Sequence, residues 1–64
     1  MDLFKVYESY EYKYIFYLKE NREESFSLFL KKEGEDIVKV KKEIELNEAF
    51  RYMDEYNRSY ISES

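Results

Sequence analysis

The sequence predicts an α+β fold: an antiparallel meander of three to four strands followed by one C-terminal helix packed on one face of the sheet. Three observations carry this. Apolar residues recur at every second position through most of the first 46 residues. Polar segments cut that alternation into strand-sized lengths. After Leu46 the apolar spacing widens from two residues to three or four.

The alternation is clearest from Tyr10 to Leu18, where the even positions are Tyr10, Tyr12, Tyr14, Phe16 and Leu18. Phe26, Leu28 and Leu30 continue it in the next segment, and Val38, Val40, Ile44 and Leu46 in the third, broken by Lys42. The even residues therefore form the core face. Leu3–Tyr7 reads as a fourth, shorter strand of ambiguous parity, because Leu3, Phe4, Val6 and Tyr7 are all apolar. The strands are expected at about 2–8, 10–19, 25–32 and 35–46.

Turn chemistry suggests a register. Lys32-Glu33-Gly34 reads as a three-residue hairpin loop ending in a glycine at positive φ. Lys31 then faces Glu35, Phe29 faces Ile37, Leu28 faces Val38 and Phe26 faces Val40. A two-residue Glu33-Gly34 turn would set Leu28 against Lys39 and is rejected on parity. The preceding loop, Glu20–Glu24, is polar; with Lys19 facing Ser25, Phe16 faces Leu28 and Ile15 faces Phe29.

Asn47 suits the N-cap of the helix, and Glu48 in the first turn suits the helix dipole. Ala49, Met53, Tyr56 and Tyr60 follow at helical spacing, with Phe50 alongside. The helix is expected over about 48–58, within a single domain of residues 1–60 that leaves 61–64 as a flexible tail.

Composition narrows the function. The 64 residues carry 11 Lys and Arg against 15 Asp and Glu, a net charge of −4, with no His and no Cys. Disulfides, thiolate or imidazole metal sites, and His- or Cys-based catalysis are excluded. A single Gly leaves no phosphate loop or nucleophile elbow, and one helix on one sheet has little room for a catalytic pocket. We expect no enzymatic activity, no cofactor and no metal. There is no long apolar run, so a soluble, cytoplasmic protein with no membrane association is expected. Thirteen aromatic residues, eight Tyr and five Phe, argue for a folded chain despite 41 % charged residues. Abundant Lys, Glu, Tyr, Ile, Phe and Asn with scarce Ala, Gly and Pro is the composition of an AT-rich gene, such as one from a low-GC bacterium or its phage.

The informative misfit is on the face away from the helix. Its edges are polar, but the register above aligns Ile15, Phe29 and Ile37 in one apolar row beside Tyr17 and Lys39. Ile15, Tyr17, Phe29, Ile37 and Lys39 are thus the candidate protein-binding surface. Glu43, Glu45, Glu48, Asp54 and Glu55 form an acidic C-terminal third that could imitate nucleic-acid phosphates. The leading expectation is a protein-interaction module of inhibitor-like character, occluding a larger host protein such as a nucleic-acid-handling enzyme. Two alternatives are a structural homodimer and a nucleic-acid-binding sheet using Tyr17, Phe29 and the lysines Lys31, Lys32, Lys39, Lys41 and Lys42. The overall acidity disfavours nucleic acid. Glu33, Glu35 and Asp36 around Gly34 lack calcium-loop spacing and read as a solvated turn.

Overall fold

In the computed structural model, which describes residues 2–63 and the side chains through Tyr60, the fold is the expected one. Strands β1 (Phe4–Ser9), β2 (Tyr14–Arg22), β3 (Ser25–Lys32) and β4 (Val38–Ile44) form an antiparallel sheet in the order β1-β2-β3-β4, and helix α1 (Leu46–Glu63) packs on one face. The Leu3–Tyr7 segment supplies the fourth strand, paired to β2 at the sheet edge.

The even-parity core is present. Tyr14, Phe16, Leu18, Leu28 and Leu30 are buried with Ala49 and Met53 of α1, and Tyr12, Phe26, Val40, Ile44, Tyr52, Tyr56 and Tyr60 pack around them. Tyr10, Val38 and Leu46 depart from this set. Tyr10 lies in the β1–β2 loop, 80 % exposed, and Val38 at the start of β4 and Leu46 at the start of α1 are exposed as well. Phe50 also leaves the expected apolar stripe of the helix, and Tyr52 takes a place on it.

Both inner registers differ from expectation, by two residues along most of β2–β3 and next to the β3–β4 turn, and by up to four at the far end of β4, where Phe26 faces Ile44 rather than Val40. Phe16 faces Leu30 rather than Leu28, and Tyr17 rather than Ile15 faces Phe29. The cause is a tighter turn. Strand β2 continues through Glu20 and Arg22, with Asn21 as a bulge, and the chain reverses over Glu23-Glu24 with Glu24 at φ 58°. Across β3 and β4, Leu30 faces Val38 and Phe29 faces Lys39. Here Gly34 does adopt positive φ, 80°, but within a turn closed by the Glu35 N–H donating to the Lys32 carbonyl at 3.0 Å. That is the position where a type II turn demands glycine. Residues 35–37 then precede β4 instead of opening it. Because a slip of two preserves parity, the core face survives the wrong register.

Irregular ladders let the sheet wrap the helix. Bulges fall at Val6 in β1, at Asn21 in β2 and along the β3–β4 pairing, where Leu28 faces Lys41 and Phe26 faces Ile44. Such bulges bend a strand and re-aim its side chains. The helix begins at Leu46, one residue ahead of the expected cap. The Glu45 carbonyl accepts from the Ala49 N–H at 3.1 Å, so Glu45 occupies the cap position and Asn47 lies inside the first turn. The helix runs on to Glu63, past the expected end near residue 58. Of the tail expected at 61–64, Ser64 and the side chains of 61–63 lie outside the described residues.

The longest-range tie is aromatic. Tyr14, 1 % exposed, stacks on Tyr60 (5.4 Å, 18°) and meets Tyr56 and Phe16 edge-on at 5.0 and 5.5 Å. Its hydroxyl donates to Asn57 Oδ1 at 2.8 Å. Edge and offset-stacked ring pairs of this kind each add about 0.5–1.5 kcal/mol beyond area burial.

Local geometry sets two expectations for stability. Glu24→Gly removes a left-handed side chain from a turn tip and should raise unfolding stability by about 0.5–1 kcal/mol in urea titrations. Burial, reinforced by the surrounding tyrosines, pushes the Tyr14 phenol up to about 12, and burial also raises Tyr56. A raised folded-state pKa means that the unfolded chain loses its protons first. Stability is therefore intact below pH 10 and falls as pH rises from 10 towards 12. Absorbance titration should show Tyr14 ionising late among the eight tyrosines, and Tyr14→Phe should flatten the alkaline decline in stability.

Candidate protein-interaction surface

On the face away from the helix, the expected row Ile15–Phe29–Ile37 is not formed. The cross-strand row is Tyr17–Phe29–Lys39. Ile15 stands on the same face but opposite Glu8 and Lys31, and Ile37 lies ahead of β4, 40 % exposed. The two-residue slip puts Lys39 in the place expected for Ile37.

Phe29 is consequently only 9 % exposed although no helix covers it. Tyr17 flanks it on β2, and the Lys39 ammonium sits 5.6 Å from its ring centroid. A lysine stem can cover apolar area while its head stays in water, and the cation is attracted to the ring face. Ser27, further along β3, is also buried and is closed off by Asn21. The Asn21 amide donates to Ser27 Oγ at 2.9 Å, and the Ser27 hydroxyl to Asn21 Oδ1 at 3.3 Å. The bulge that extrudes Asn21 puts it there. The open face thus carries its own cover of side chains, and the ring of Phe29 offers little area for stacking.

The acidic candidates do not line up. Glu43 pairs with Arg22 at 2.8 Å at the end of β4, and Glu45 lies at the β4–α1 junction. Glu48 and Glu55 share the β4 side of the helix, with Arg51 between them. Asp54 lies on the β1 side, where Arg58 holds it at 3.1 Å. Lysine placement is divided in the same way. Lys41 faces Leu28 on the helix side, with its ammonium 5.5 Å from the Tyr52 ring.

Exposed aromatic surface gathers elsewhere, beside β1. Between β1 and α1 lies a cleft of 260 Å³ lined by Val6, Tyr7, Phe50, Met53, Asp54 and Asn57. Its rim is apolar: Phe50 is 49 % exposed and Tyr7 41 %. Phe4, 62 % exposed, shares the helix-side face of β1, since it pairs with Leu18. Two features open the cleft. The helix backbone runs closest to β3 and β4, and its tyrosines reach back over Tyr14. The bulge at Val6 turns both Val6 and Tyr7 towards the helix side. Sequence reasoning misses this surface because the parity of Leu3–Tyr7 cannot be read without the bulge. The signal that was available is Phe50, which breaks the spacing of the helix stripe.

No family model, no curated protein and no solved structure matches the chain. Among the described residues, no helix is long and apolar enough to cross a membrane.

Phe29 should behave as a structural residue. Phe29→Ala is expected to cost about 3 kcal/mol in denaturant unfolding, a large part of the total for a domain of this size, whereas Phe50→Ala should cost under about 1 kcal/mol.

Proposed function

We propose that this chain is a non-catalytic protein-interaction domain whose contact surface is the β1 side of the molecule: the free edge of β1 and the cleft it shares with α1. The observation that carries the reading is that Tyr7 and Phe50, each more than two-fifths exposed, line one cleft, with Phe4, also exposed, on the same face of β1, which is an edge strand of the sheet among the described residues. Exposed apolar area gathered in one place beside free backbone donors and acceptors suits an extended protein segment. The segment would add to the sheet edge and place alternate side chains against the rim.

The opposite edge supports the assignment by contrast. Strand β4 carries Lys39, Lys41 and Lys42 within seven residues, the kind of charge that discourages strand addition. Strand β1 carries only Lys5, and Glu8 neutralises it at 2.9 Å.

Wild type, Phe50→Asp and Lys31→Glu chains used as baits in lysate of the producing organism test this reading. A protein retained by wild type and Lys31→Glu but lost with Phe50→Asp is the expected result. Equal retention by wild type and Phe50→Asp, or retention of nothing, overturns it.

A further inference from the structure

Resting on that reading, we infer that the segment accepted by the β1 edge is β1 of a second copy of the same chain, paired antiparallel about a two-fold axis between Val6 and Tyr7. The strand Phe4-Lys5-Val6-Tyr7-Glu8-Ser9 is symmetric about that point in the face each residue takes. Lys5 and Glu8 lie on the open face, because they pair with Tyr17 and Ile15. Phe4, Tyr7 and Ser9 lie on the helix face, paired with Leu18, Phe16 and Tyr14, and the bulged Val6 joins them against the core. An antiparallel partner must place directly opposed residues on the same face. Around this axis every position meets that condition: Phe4 opposes Ser9, Lys5 opposes Glu8 and Val6 opposes Tyr7.

The charges match as well. Lys5 of each copy faces Glu8 of the other, so the ion pair that is internal in one chain becomes a four-charge cluster across the axis. A contact of this kind is isologous and closes after two copies. A bulge normally deters pairing at an edge; here it falls on the axis and is mapped onto itself, so both strands bend at the same place. On the helix face, the aromatic rim of one cleft approaches the rim of the other. Strand β4 fails the same test. Every antiparallel self-register centred from Val40 to Lys42 sets one lysine against another. Chains below about 70–80 residues commonly draw stability from association when they have no disulfide or metal, and this chain has no Cys and no His.

Charge exchange tests the pairing without a partner being known. By sedimentation equilibrium, wild type should dimerise, while Lys5→Glu and Glu8→Lys should each dimerise at least about tenfold more weakly, because two like-charge oppositions replace two attractive ones. An equimolar mixture of the two variants should recover the dimer. In the mixed pair, a strand acidic at both positions faces a strand basic at both, so each opposition is attractive again. Both variants lose the same internal ion pair, so a folding defect cannot produce recovery on mixing. A monomeric wild type, or variants that dimerise as well alone as mixed, overturns the inference. If self-association is absent while a different protein is captured in a Phe50-dependent way, only the self-pairing falls. If capture is absent too, the interaction reading falls with it.

Discussion

Tyr14 is the constraint on which the rest of this small structure depends. Its ring is buried at the centre of a cluster of Phe16, Tyr56 and Tyr60, and its hydroxyl is satisfied by Asn57. The contacts fix the second half of α1 over β2, whereas Ala49 and Met53 fix the first half in the Leu-rich part of the core. A helix pinned at both ends cannot also lie along β1. The cleft beside β1 is therefore a geometric consequence of how the aromatic side chains tie the helix down.

What can be read from the sequence and what cannot divide along a physical line. Face assignment depends on a local period of two, so Tyr14, Phe16, Leu18, Leu28 and Leu30 are legible as core. Register depends on how each turn closes and where each ladder bulges, and left-handed residues other than Gly34 take part here. Lys13 in the β1–β2 loop, Glu24 in the β2–β3 turn and Glu43 near the end of β4 all have positive φ, between 53° and 58°. Glutamate and lysine carry no sequence signal for that conformation. Placing the strand ends by composition therefore makes the Glu20–Glu24 loop too long. The resulting error is a slip of two, and parity conceals it. The contact row, unlike the core, requires the register itself, so the pattern alone sets Ile37 opposite Phe29 where Lys39 stands. The helix start shows a similar limit. Asn47 has the better capping side chain, but the carbonyl that begins the helix belongs to Glu45, set by where β4 releases the chain.

The open face shows how a sheet with one lid tolerates an aromatic residue on its uncovered side. Tyr17 and Lys39 flank Phe29, and Asn21 closes over Ser27. These side chains do there what a second helix would do in a larger domain, at the scale of single residues. They also explain why Lys39 belongs to the packing as much as to the charge. Its stem covers the ring, and its ammonium, over the ring face, keeps that cover wet on the outside.

Neither device operates on the β1 side, where Phe4, Tyr7 and Phe50 stay exposed. The helix does not lie along β1, and among the described residues no cation lies over Phe4 or Phe50 in the manner of Lys39 over Phe29. The two sheet edges have correspondingly different chemistry. One is lysine-rich and breaks its ladder repeatedly. The other alternates aromatic residues with a neutralised Lys–Glu pair whose order along the strand is self-complementary when reversed. An edge whose only purpose was to stay solvated would gain from unbalanced charge and lose from exposed Phe4 and Tyr7. The arrangement found in β1 has the opposite signs on both counts, and that asymmetry between the edges is the reason for proposing β1 as the side on which this domain meets another chain.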